Sequence, residues 1–409
     1  MTESKRDALK SVFTKSSALA VVGVVLILNF ALACLNPFGK RTLSDLPQDH
    51  SWISWTTADF VNQRRTPDLV FVGSSLLLHP LTMLDAHYLN RRIDYADYHR
   101  SAYTEDRVAV ELGVDKPLAF NFAMPGGMIS DDWIIVEAMI RSKRKPKIIV
   151  LGVCARDFMD CKVRCPGLMP TFRYLSKTID MEPVLDLALP SLTDRTDFIL
   201  GKVAYLWNSK PVMQAALRNK TIAALRFLGV TCGASKFTPQ QLEELLTTDM
   251  SAELERGRMV EEPGAERSFV DNTMEYMQRY KDRHEKLFDI EKQFLEKLLS
   301  SAKVNDIKVI VVNMPLTSLN VKLMPPGTHD DYLQSVEMLS ARYGAVFEDF
   351  NDDTRFPSSV FYDTVHMNSA GGKRFVDALV DVISEDKVCA EKLSGSAGSG
   401  IASGGATRL

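Results

Sequence analysis

Short apolar runs alternate with longer amphipathic stretches through most of the chain. Asp68-Leu69-Val70-Phe71-Val72 is rich in β-branched residues and predicts a buried strand that ends at Gly73-Ser74-Ser75. Residues 118–123 predict a second strand, closed by Pro125-Gly126-Gly127. Residues 147–153 and 307–313 predict two more, and Ala345-Val346-Phe347 a fifth. A helix is expected over 133–140, capped by Ser130-Asp131-Asp132. Strands that are apolar throughout and separated by helices imply a mostly parallel sheet covered on both faces, a three-layer α/β/α fold. Functional residues in such sheets gather at the carboxyl ends of strands. The Gly73, Gly126 and Gly152 stretches all fall there.

The pattern changes at both ends and in the middle. Residues 1–15 are polar and carry Lys5, Arg6, Lys10 and Lys15, and residues 16–39 hold no charge. A helix needs about 20 apolar residues to cross a bilayer, so 16–39 is expected to be a transmembrane signal anchor. The preceding basic residues put the N-terminus in the cytoplasm and the rest outside, a single-pass arrangement at the cell membrane. Cleavage after Ala31-Leu32-Ala33 and lipidation at Cys34 are the alternatives. Residues 40–66 predict a linker and 67–385 the folded domain, with a helical insertion over about 158–300. Within it, one or two amphipathic helices are expected over 266–302, with Phe269, Met274, Met277, Tyr280, Leu287, Ile290, Phe294 and Leu298 on the apolar side. Residues 386–409 predict a flexible tail, Gly/Ser/Ala-rich from Ser394 to Gly405.

Composition narrows the function classes. The 409 residues carry a formal net charge of −3 and no basic stripe with interleaved aromatics, which argues against nucleic acid as a partner. Six cysteines are too sparse for a disulfide scaffold; Cys161 and Cys165 read equally as a small disulfide loop or as two thiols. No P-loop, dinucleotide fingerprint or His-Glu-x-x-His is present, so neither a cofactor nor a metal is expected.

The chemistry concentrates in Phe361-Tyr362-Asp363-Thr364-Val365-His366, where an acid and a histidine stand three residues apart before a helical run. A carboxylate so placed can fix the imidazole tautomer and turn its other nitrogen toward a nucleophile. Alone, this pair reads as a helix cap beside an exposed histidine. Gly73-Ser74-Ser75 at the end of the first predicted strand changes that, although it lacks the second glycine of a Gly-x-Ser-x-Gly elbow. The full order is Gly-x-Ser, then Asn121-(x)4-Gly126, then Gly152-x-x, then Asp363-x-x-His366.

That order resembles the SGNH (GDSL-like) hydrolase superfamily across scattered blocks from about residue 68 to 385. The resemblance implies Ser75 as nucleophile, His366 as general base and then acid, and Asp363 as its orienting partner. It also implies the backbone N–H groups of Ser75 and Gly126 as oxyanion-hole donors, each worth roughly 3–4 kcal/mol. The third block departs from the family. Gly152-Val153-Cys154-Ala155-Arg156-Asp157 has no asparagine donor. Arg156 is either a charged replacement donor or half of a structural ion pair with Asp157, and Cys154 a second nucleophile or a buried thiol. Ser74 is the alternative nucleophile if the register slips by one. His79 either lines the site or is structural.

A single N-terminal anchor joined to an SGNH-like domain is similar in architecture to envelope proteins of D-alanyl transfer and alginate acetylation. The resulting expectation is an exported, membrane-anchored serine esterase or O-acyltransferase. Its substrates would be acyl esters of cell-envelope polysaccharide or lipid, with an envelope protein complex as a further partner. A catalytically silent binding or assembly protein is the alternative.

Overall fold

The computed structural model describes residues 17–35, 48–208, 260–264, 267–352 and 354–395. The chain divides into two compact units, Met1–Gln48 with Ser191–Leu254, and Asp49–Pro190 with Glu255–Leu409.

In the first unit, helix α1 (Ser17–Leu35) contains no charged residue. Its single amide, Asn29, accepts a hydrogen bond from the backbone N–H of Tyr205. Val24, Leu26, Ile27 and Phe30 are 64%, 62%, 71% and 71% exposed. Among the described residues no helix is long and apolar enough to cross a membrane. The structure therefore does not supply the expected transmembrane segment.

The second unit is built on strands that follow the predicted apolar runs closely. They are β1 (Leu69–Gly73), β3 (Ala119–Asn121), β4 (Ile148–Val153), β6 (Lys308–Asn313) and β7 (Val346–Asp349). They form one all-parallel sheet in the order β3-β1-β4-β6-β7. Two further strands, β2 (Ile93–Asp94) and β5 (Val260–Glu261), make a separate antiparallel ribbon. β1 and β4 are buried from end to end, which is why their residues are apolar throughout rather than alternating.

Helix α2 (Gln48–Asn62) precedes the sheet and buries Ile53 and Phe60, so part of the expected linker is packed structure. Then come α3 (Ser75–Tyr88), α4 (Ala102–Leu112), α5 (Ile129–Arg141), α6 (Glu285–Val304), α7 (Thr328–Tyr343), α8 (Ser369–Glu385) and α9 (Lys387–Ser394). α8 packs on α3 and α4, and α6 packs on α5 and α7. Right-handed crossovers explain the two groups. The chain moves one way along the sheet from β1 to β3, then reverses through β4, β6 and β7, which puts the connecting helices on opposite faces. The reversal occurs at β1, and the carboxyl end of a strand at such a switch point is where α/β sheets place ligands.

Four expectations need correction. α5 starts at Ile129 rather than after Ser130, because the Asp131 carboxylate reaches back to the Met128 N–H at 3.1 Å. α6 is a core helix covering the sheet rather than the end of an insertion, and Leu287, Ile290, Phe294 and Leu298 are buried as their apolar side predicts. Phe269, Met274 and Met277 are exposed by 52%, 70% and 51%. The apolar stripe crosses a break: Thr273–Arg279 is a separate short helix, and His284 at φ +34° is the N-cap of α6. The supposed tail also begins as structure, since α9 buries Cys389 and Leu393. Residues 209–259 of the insertion and 396–409 of the tail lie outside the described residues.

Candidate active site

β1 ends at Gly73, and Ser75 is the first residue of α3. The turn between them demands glycine. Gly73 has φ +151°, and a Cβ there would stand 2.5 Å from the Gly152 carbonyl oxygen on β4. The chain passes so close to β4 that Ser75 is delivered to the carboxyl edge of the sheet. As the first residue of a helix its N–H has no intrahelical acceptor, and the helix dipole favours negative charge there.

His366 comes from the loop between β7 and α8. The Ser75 hydroxyl lies 2.8 Å from its Nε2, and Asp363 Oδ2 lies 2.6 Å from its Nδ1. Asp363 Oδ1 accepts the backbone N–H groups of Val365 at 2.8 Å and His366 at 2.7 Å. One carboxylate therefore folds the loop and orients the ring. Its charge is met by two N–H donors and the imidazole, with little exposure. The loop is tied down at Thr364, whose carbonyl accepts from Thr317 Oγ1 at 2.7 Å and whose hydroxyl accepts from Asn320 Nδ2 at 3.0 Å. Asn272 Oδ1 accepts the Thr364 N–H at 3.1 Å. Ser74 is buried, and its hydroxyl has no hydrogen-bond partner among the described residues. Ser75 is the serine that faces His366.

Asn121 is buried at the end of β3 and accepts from the Ala123 N–H at 3.1 Å. Met124–Gly127 then forms a turn closed by a Gly127 N–H bond to the Met124 carbonyl at 3.2 Å, with Gly126 at φ +67°. Proline followed by a left-handed glycine is the signature of a type II turn. Met124 N–H donates to the Gly73 carbonyl at 2.9 Å, which seats this turn beside the Ser75 elbow.

Arg156 is placed behind that turn. It is 4% exposed and donates from Nη1 to the Gly126 carbonyl at 3.0 Å. Its Nη2 pairs with Asp157 at 2.6 Å, and Asp160 lies 3.8 Å from Nη1. These contacts are those of a structural ion pair supporting Gly126, not of a cation open to a ligand. Cys154 is buried and free, and burial pushes its thiol well above the ordinary value, which suits a structural thiol rather than a nucleophile. Cys161 and Cys165 are both free thiols. Beneath the turn, burial raises Asp131 to about 7 and holds Asp132 and Glu291 well above the usual carboxylate range.

Of the surroundings of His366, sequence reasoning offered His79 and missed the rest. The Tyr362 ring stacks on the imidazole, and the His79 ring centre is 4.9 Å from it. His79 is buried, and burial, then the charges of His366 and Arg267, push it well below the ordinary imidazole value. Tyr362 stands next to Asp363 in sequence, and His79 lies one helical turn past Ser75. Nothing in the local pattern points to Arg267 or Glu261, which complete the group.

The family described as "protein of unknown function (DUF1574)" matches residues 114–382, well over half of the chain. The chain belongs to the DUF1574 family. The matched region of this DUF1574 chain holds Gly126, Arg156, Asp363 and His366, and begins after Ser75. Two solved structures of Axe2 mutants from Geobacillus stearothermophilus are similar at low level. One is described as an acetyl-xylooligosaccharide esterase, at 12% identity and TM-score 0.34, covering 78% of this chain and 94% of that one. The other, a catalytic mutant described as an acetylxylan esterase, is at 11% identity and TM-score 0.33, with the same coverage. Neither likeness is close enough to argue from. No curated protein matches the chain.

Proposed function

We propose that this protein is an SGNH-like serine esterase or O-acyltransferase working through a Ser75 acyl-enzyme. The observation that carries the reading is the hydrogen-bonded line from Ser75 Oγ to His366 Nε2 at 2.8 Å and from His366 Nδ1 to Asp363 Oδ2 at 2.6 Å. With the Nδ1 proton held by Asp363, Nε2 accepts the serine proton as Oγ attacks an ester carbonyl. The negative charge that forms on the carbonyl oxygen is met by the N–H groups of Ser75 and Gly126. His366 then protonates the departing alcohol. Water or a hydroxyl acceptor, deprotonated by the same imidazole, releases the acyl group.

The finer reading is that the acyl group moves on or off cell-envelope polysaccharide or lipid, with the N-terminal segment 16–39 as a membrane anchor. The charge-free run 16–39 behind Lys5, Arg6, Lys10 and Lys15 is what supports the anchor, although no described helix is long and apolar enough to cross a membrane. A silent binding or assembly protein is the second reading, favoured by the absence of an asparagine donor in the third block.

Product analysis tests the proposal. The full-length protein, in detergent, is incubated with p-nitrophenyl acetate with and without an oligosaccharide acceptor. Release of p-nitrophenol that disappears in Ser75→Ala supports the enzyme, and acetylated oligosaccharide assigns it as a transferase. Turnover no faster than that of Ser75→Ala would favour the silent protein. Carbonate extraction of membranes tests the anchor, which predicts that the protein stays in the pellet.

A further inference from the structure

A ring of contacts outside the triad closes around His366. The Tyr362 ring lies 5.6 Å from the imidazole, centre to centre, with only 11° between their planes. The Arg267 guanidinium carbon is 4.8 Å from the centre of that tyrosine ring. Arg267 is paired with Glu261, which is 3% exposed. The Tyr95 hydroxyl donates to Glu261 Oε1 at 2.8 Å and lies 3.3 Å from His79 Nδ1. His79 returns the path to His366. Glu261 is delivered by β5, where it pairs across to Ile93 of β2. The two-residue ribbon thereby joins the surroundings of the site.

The physical effects are separable. A π-face carries negative potential, so a ring stacked on an imidazole favours its charged form. A cation close by opposes that form. Glu261 offsets Arg267, so Arg267 can grip Tyr362 without repelling a charged His366. The charged or titratable groups around His366 are then Asp363 on its own loop, Ser75 and His79 on α3, Tyr362 beside it, Tyr95 behind His79, Tyr276 near Asp363 and Tyr362, and the Arg267–Glu261 pair beyond Tyr362.

We propose that Tyr362, clamped by the Glu261–Arg267 pair, is a positioning residue for His366. Its ring fixes the plane in which the imidazole faces Ser75 and stabilises the imidazolium formed when Nε2 takes the Ser75 proton. This inference rests on the Ser75–His366 reading above.

The test uses the full chain and two readouts. One is the titration midpoint of the His366 imidazole by NMR, with the resonance assigned through His366→Ala. The other is the pH–rate profile on p-nitrophenyl acetate. In Tyr362→Leu the midpoint and the acid limb move to lower pH by about half a unit, the size of a lost cation–π contact. A general base stops working as pH falls through its own pKa, so a lowered pKa carries the limb downward. Tyr362→Phe keeps the ring and the wild-type midpoint. Glu261→Gln leaves Arg267 unmatched and also lowers the midpoint. The inference is overturned if Tyr362→Leu titrates as wild type, or if Tyr362→Phe moves as far as Tyr362→Leu. Should Tyr362→Leu not fold, an unmoved midpoint in Glu261→Gln overturns it equally. The NMR midpoint is readable even in a protein without ester activity, so failure of this inference is distinct from failure of the proposed function.

Discussion

A Cβ on Gly372 would stand 2.3 Å from the carbonyl oxygen of Pro80. The two residues mark where α8, which follows the His366 loop, meets α3, which starts at Ser75. The triad spans two segments far apart in sequence, and this methyl-free contact sets their spacing. Gly372→Ala should wedge the helices apart. Overpacking of this kind costs about 1–3 kcal/mol. An ångström-scale shift of Ser75 from His366 should lower esterase turnover by roughly tenfold to a hundredfold. Urea denaturation and ester hydrolysis check both effects.

Asp363 orients the imidazole and also folds its loop through two backbone N–H groups. In Asp363→Asn the amide oxygen can still accept those bonds, so the fold should survive. The amide cannot hold the Nδ1 proton as a carboxylate does. Turnover should fall by about 10⁴-fold, as expected when the wrong tautomer is favoured. A kcat measurement on protein with an unchanged urea midpoint tests this.

The buried carboxylates predict how stability depends on pH. Burial raises Asp131 from 3.8 to about 7 and Asp85 from 3.8 to about 6. The folded state then binds protons more tightly than the unfolded chain between those values. The resulting stabilisation is complete below about 4 and is lost as pH rises through 6 to 7. The urea midpoint should therefore carry a contribution that falls from about pH 4 to 7, and Asp131→Asn should flatten it.

Arg156 offsets buried negative charge and supports the Gly126 carbonyl. Arg156→Met leaves Asp157 without its partner and Gly126 without its donor. Removing one member of a buried pair costs about 3–5 kcal/mol. A shift of the urea midpoint of that size is expected, larger than for an exposed arginine such as Arg64.

The sheet was legible because buried parallel strands need apolar, β-branched residues at every position. Leu69–Gly73, Ile148–Val153 and Lys308–Asn313 satisfy that almost without exception. Ser75, Asp363 and His366 were legible because each sits in a short motif at a strand end or before a helix. Arg156 was visible as a residue but not as a contact, since its acceptor, Gly126, comes from a different strand end. Glu261 and Arg267 left no signal: a two-residue strand has no periodicity, and their partners, Tyr95 and Tyr362, are remote in sequence. Phe269, Met274 and Met277 are exposed because the helical period of α6 does not extend back past His284: Phe269 lies outside any helix and the two methionines are on the separate Thr273–Arg279 helix.

The central claim is that Ser75 is a nucleophile activated by His366. Fluorophosphonate labelling of the folded protein, with the modified peptide located by mass spectrometry, tests it most directly. The account predicts a single adduct on Ser75, absent in Ser75→Ala and strongly slowed in His366→Ala. Folded wild-type protein that takes no label, or takes it at a rate unchanged in both variants, would contradict it.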